Sequence, residues 1–182
     1  MTSQAVSSVF AAYKLPLHEV PKPRDGGKSL AARAKDAGLE PPTVGARIAF
    51  FGAKIHGEFM LASTFDAIAT TRPALPGAPL TQSAASQILI RDWTGELANQ
   101  ILGHLKNQSR RVALSFETRT PIPLSGQAVE LMTPKAPGSQ VVLFRTGRGG
   151  LAFCFDAFCH TDLDLRMAAA ADDGNDGTLT LL

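Results

Sequence analysis

The chain of 182 residues is 45% hydrophobic and 19% charged, with a formal net charge of +2 and two cysteines. Its charged fraction lies below the roughly 25% of an average globular protein, and its Lys and Arg balance Asp and Glu without forming a basic run, which excludes binding led by nucleic-acid phosphates. No stretch approaches the roughly 20 apolar residues of a membrane span, and the start, MTSQAVSSVFAAYKLP, lacks the layout of a signal peptide, so the reading is a cytoplasmic protein with no membrane contact.

The 12 prolines leave three proline-free stretches, 43–72, 80–120 and 138–182, in which regular structure can run. Residues 1–42 hold five prolines and RDGG, and are expected to form a partly irregular extension. Val6, Val9, Phe10 and Tyr13 give it one short amphipathic helix. The main domain is expected over 43–168. In it, ARIAFFGAKIHGEFMLAS predicts two strands joined around Gly52–Lys54, and Ser63 is placed to cap a short helix through Ala69. PALPGAP at 73–79 reads as a loop, and Thr81 or Ser83 opens the longest helical pattern, about 83–107. VALSFETRTPIPL predicts a strand ending at Pro121 or Pro123, and QVVLFRTGRGGLAFCFDAF a hairpin turning at TGRGG. The closing ADDGNDG is too polar and glycine-rich to pack well, which predicts a mobile tail over 169–182. This order of helices and hairpin-linked strands predicts an α+β, two-layer sandwich. Cys154 and Cys159 on one extended strand lie roughly 16 Å apart, beyond the roughly 7 Å that a disulfide spans, so reduced, buried thiols are expected.

The informative segment is SAASQILIRDWTGELANQILGHLKN at 83–107. Ile90, Trp93, Leu97, Ile101 and Leu105 form one stripe, widened by Ala98 and Leu102, and this is the expected core face. Opposite it stand Asp92, Glu96, Asn99 and Gly103, with Gly95 beside them and Lys106 at the lower end. Two glycines inside a helix each cost about 1 kcal/mol relative to alanine. They suit a face that another molecule approaches closely. A solvated face whose glycines bend the helix or pack against a neighbour explains the same pattern.

The string Asp92-x-x-Gly95-Glu96-x-x-Asn99-x-x-x-Gly103-x-x-Lys106 resembles the signature helix of the CheX and CheC chemotaxis phosphatases, and the element order over about residues 43–160 resembles the CheX domain. The resemblance implies a CheC-like sandwich with helices packed on one face of an antiparallel sheet, often paired into a homodimer through sheet edges, that dephosphorylates a CheY-like receiver domain. Carried over by position, Asn99 inserts its carboxamide into the receiver's site to orient the hydrolytic water, and Glu96 pairs with a receiver lysine. Asp92, Gly95, Gly103 and Lys106 complete the partner-binding face. No cofactor or metal is implied on this chain, since Mg2+ and the acyl phosphate belong to the receiver. Three features depart from the family: His104 stands where asparagine often follows the glycine, there is no second Glu-x-x-Asn, and residues 1–42 do not look like a long opening helix. The alternative is a non-catalytic receiver-binding module or a dimeric scaffold that uses the same helix face.

Other signals carry little. Gly26-Gly27-Lys28-Ser29 has Lys22 where a phosphate-binding loop needs its first glycine. Cys154, Cys159 and His160 lack a second ligand pair with zinc spacing. ADDGNDG lacks the closing glutamate of a calcium loop.

Overall fold

The computed structural model describes residues 7, 18–20, 27–72, 83–110, 114–137 and 139–159. Apart from Ser7, the helix expected at Val6–Tyr13 lies outside the described residues, as do the 73–79 loop and the 169–182 tail.

Strands β1 (His18–Val20), β2 (Val44–Phe51), β3 (Ile55–Ser63), β4 (Glu117–Thr118), β5 (Ile122–Ser125), β6 (Gln140–Thr146) and β7 (Gly149–Cys159) form one antiparallel sheet. Its order is β1-β6-β7-β3-β2-β4, with β5 also on β2. Helices α1 (Leu30–Asp36), α2 (Phe65–Thr71), α3 (Ala84–Arg110) and α4 (Gln127–Glu130) complete the described part. The period-2 alternation of each strand sorts its side chains between two faces. Ala46, Ile48 and Phe50 of β2, Phe59 and Leu61 of β3, and Leu151 and Phe153 of β7 bury themselves beneath α2 and α3. Within this cluster the Phe50 ring stacks on Phe155 at 4.7 Å between centroids.

The expected fold class therefore holds: the sheet carries its two main helices on one face. The sequence reading did not include a second, smaller cluster on the opposite face, where Leu30 and Ala34 of α1 and Val129 of α4 pack on Met60, Ala62, Leu143, Ala152 and Cys154. The N-terminal segment is thereby corrected. His18–Val20 pairs with Leu143–Arg145 at the sheet edge, and α1, capped by the Ser29 hydroxyl, is seated on the sheet. Residues 18–20 and 30–36 are therefore built into the domain, because β6 has a free edge to pair and the second face has apolar area to cover.

Both predicted hairpins form. The β2–β3 register runs from Val44↔Ser63 to Phe51↔His56, and β6–β7 from Gln140↔Phe155 to Thr146↔Gly149. At the second turn Gly149 has φ 136°, and a Cβ there would come 2.2 Å from the Thr64 hydroxyl, so this turn requires glycine. The cap of α2 is Thr64, one residue beyond the expected Ser63: Ala67 N donates to Thr64 Oγ1, while Ser63 still belongs to β3 and its hydroxyl donates to Gly150 O at 2.9 Å. The single strand expected through 112–123 is two short pieces, β4 and β5, set along the outer edge of β2. Pro121 supplies no N–H for a continuous ladder, so pairing breaks before it and resumes at Ile122.

On β7, the Asp156 side chain is buried at 3% exposure. Its carboxylate accepts from Lys135 N at 2.9 Å, Ala136 N at 2.8 Å and the Ser139 hydroxyl, tying the 133–139 connector to the sheet. Both cysteines are free, as expected, but only Cys154 is buried and Cys159 is exposed at the strand end. Burial, and next to it the Asp156 carboxylate, pushes the Cys154 thiol up from 9.0 to about 12. A raised acid pKa favours the protonated folded form, so this contribution to stability is full below about 9 and is lost as pH rises toward about 12. Ellman's reagent at pH 8 should titrate Cys159 rapidly and Cys154 only after unfolding. Rapid reaction of both thiols in the native protein would contradict this.

Candidate functional site

Helix α3 has 27 residues, about 40 Å of rise. The Ser83 hydroxyl accepts from Ser86 N at 3.2 Å and caps its start. Ile90, Leu97, Ala98, Ile101 and Leu102 are fully buried, and Leu105 nearly so, which bears out the core stripe. Trp93 is half-buried and its indole N–H donates to the Thr71 hydroxyl at 2.7 Å, tying α3 to α2.

This packing turns Asp92, Glu96 and Asn99 to solvent. Asn99 makes no side-chain hydrogen bond among the described residues, so its carboxamide keeps its donors and acceptor available. Glu96 Oε1 accepts from Gln100 Nε2 at 3.1 Å, one turn along. Asp92 and Glu96 form an i, i+4 pair of like charge, which costs the isolated helix a few tenths of a kcal/mol. Helix stability does not account for this acidic pair, and a cationic partner would relieve it.

The remaining expected residues separate. Gly103 lies open, and a Cβ built on it meets nothing within 4 Å. Gly95 is buried: an added Cβ would stand 3.3 Å from Pro123 Cγ and 3.4 Å from Pro121 Cβ. It therefore accommodates the chain's own proline connector and offers no clearance to a partner. Lys106 is half-buried, and its ammonium lies 3.4 Å from Glu117 Oε2 on β4, a pairing worth about 0–1 kcal/mol at a surface. His104 is half-buried, about 80° round the helix from Glu96. Among the described residues no group of three His, Cys, Asp or Glu side chains is placed to hold a metal, and no helix is long and apolar enough to cross a membrane.

No family model matches the chain, and no curated protein matches it. Solved structures do. The chemotaxis protein CheX from Vibrio vulnificus superposes with a TM-score of 0.65 at 15% identity, over 86% of this chain and 96% of that one. A CheC-like superfamily protein from Shewanella sp. PV-4 gives 0.65 at 17% identity, over 86% and 94%. The CheX–CheY–BeF3–Mg2+ complex from Borrelia burgdorferi gives 0.63 at 14% identity, over 86% and 94%. The chain has the CheX/CheC-like fold.

In this CheX/CheC-like domain the helix that resembles the family signature is also the longest helix, packed centrally on the sheet. Sequence reasoning missed Gln100, Pro121 and Pro123. A signal for the prolines was present. At about 100° per residue, Gly95 falls between Asn99 and Leu102, on the border between the exposed and buried sides where a neighbouring segment packs.

Proposed function

We propose that this CheX/CheC-like protein is a phosphatase for an aspartyl-phosphorylated, CheY-like receiver domain in chemotaxis or a related two-component pathway. The observation that carries the reading is the pairing of Glu96 and Asn99, both exposed, on the long helix of this fold. The fold's occurrence in a CheX–CheY complex supports the choice of partner.

Phosphoryl transfer from an acyl phosphate needs an in-line water and stabilised charge. The receiver brings the phosphate and the metal that neutralises it. Asn99 brings a neutral amide that accepts a hydrogen bond from the water while donating toward the phosphate, without adding negative charge. The water–phosphorus bond forms as the bond to the aspartyl oxygen breaks, and inorganic phosphate leaves. Glu96, set beside Asp92, docks a receiver lysine and fixes the register of approach. A homodimer joined at a sheet edge belongs to the same reading, and a light-scattering mass decides it.

The direct test is decay of phosphorylated CheY-like receivers with and without the protein. Binding without faster decay would favour the sequestering alternative. Gly103→Ala gives a sharper test of the helix face. With open space around Gly103, alanine should raise stability by about 1 kcal/mol and lower receiver affinity. A variant that is more stable and equally active would remove Gly103 from the docking face.

A further inference from the structure

We propose that the proline connector between β4 and β5 is a second docking element, a rigid apolar wall against which the receiver lies when it engages Asn99. The inference rests on the receiver-directed reading of α3 and takes it further.

Gly95 is buried because Pro121 and Pro123 sit directly on the helix backbone there, at 3.4 and 3.3 Å from the position of a Cβ. Pro121 is only half-buried, so one side is used against the helix and the rest is exposed. Gly95 and Asn99 are one turn apart and about 40° round the helix from each other, whereas Glu96 lies about 60° beyond Asn99 on the far side. The connector therefore rises on the Asn99 side, and Asn99 stands between an apolar wall and an acidic group.

The wall is held at both ends. Before it, Arg119 N donates to Ala49 O at 2.8 Å. After it, β5 pairs with β2 from Arg47↔Ile122 to Val44↔Ser125. Between these anchors Pro121 restricts the backbone through its fixed φ, and Pro123 does the same within β5, opposite Ala46. A partner that brings its phosphate to the Asn99 carboxamide must present an uncharged, low-relief surface to Pro121, because burying an unpaired charge against it is costly. Gly95 is thus a positioning residue, setting how closely the wall stands to Asn99.

The test uses the full chain and a CheY-like receiver activated with beryllofluoride and Mg2+. Pro121→Ala should weaken binding about 5-fold while leaving the decay rate at saturating receiver unchanged. Gly95→Ala crowds the wall without altering its chemistry and should also weaken binding. Amide hydrogen exchange on the wild type gives a reading that needs no variant: added receiver should slow exchange across Thr120–Ile122 as well as along α3. Protection confined to α3, with affinity within twofold of wild type in both variants, overturns the wall. If Asn99→Ala still abolishes accelerated decay, the reading of α3 survives that result. Unchanged decay in Asn99→Ala would instead remove the reading on which the wall depends.

Discussion

Asn99→Ala is expected to lose about 100-fold or more of the accelerated receiver dephosphorylation, the usual scale for removing one group that positions or stabilises the reacting centre, with the fold intact. Asn99 is exposed and has no side-chain hydrogen bond among the described residues, so its truncation breaks nothing that holds α3. Alanine is also the better helix former, and the melting temperature should stay level or rise slightly. Asn99→Asp tests the chemistry at nearly constant shape. Its negative charge beside the phosphate should abolish acceleration as fully as alanine does. Glu96→Ala should behave differently, raising KM with kcat largely retained, because a docking contact contributes equally to the ground and transition states. Wild-type decay rates in Asn99→Ala would defeat the mechanism, and a kcat loss in Glu96→Ala would defeat the division of labour.

The second large effect is on stability. Asp156→Ala should lower the melting temperature by roughly 10 °C, from a loss of about 3–5 kcal/mol at about 2–4 °C per kcal/mol in a domain of this size. The carboxylate is buried and serves three donors, two of them backbone N–H groups of the 133–139 connector. Alanine would leave the Ala136 N–H buried without its acceptor and would remove the acceptor of Lys135 N, while the Ser139 hydroxyl would keep only its bond to Ala136 O. Asp156→Asn should cost less, since one amide oxygen replaces part of the acceptor set while the amide nitrogen faces a donor. The connector crosses the sheet face opposite α3, so receiver dephosphorylation measured well below the melting temperature should be unchanged in both variants. A melting temperature within 2 °C of wild type in the alanine variant would show that the connector is held by something else.

Elements whose identity depends on their own residues were legible in the sequence. The β2–β3 and β6–β7 hairpins announce themselves by alternating apolar residues around glycine turns, and α3 by a stripe that is buried as read. Elements whose identity depends on a neighbour were not. His18–Val20 is a strand because β6 offers it an edge. LAARAKD has helix-forming residues, but only the apolar second face of the sheet explains why it is seated in the domain. The same division separates the two glycines of α3. Both read alike in sequence, yet Gly103 faces open space and Gly95 faces prolines that lie more than 20 residues away in the chain. Glu96 and Asn99 were legible because their spacing alone puts them on one side of a helix. Whether Lys106 is available to a partner depended on Glu117, which belongs to β4.

Leu97 and Ala98, the two residues between Glu96 and Asn99, are both fully buried. Inserting or deleting one residue between Ile90 and Glu96 would turn everything beyond it by about 100° relative to the turns before it, so Ile90 and the Leu97–Ala98 pair could no longer both face the core, and Glu96 and Asn99 would move with the pair. The position of the site is therefore quantised, held in phase with the core. The fold of α3 is thus more sensitive to the number of its residues than to substitution at its exposed positions.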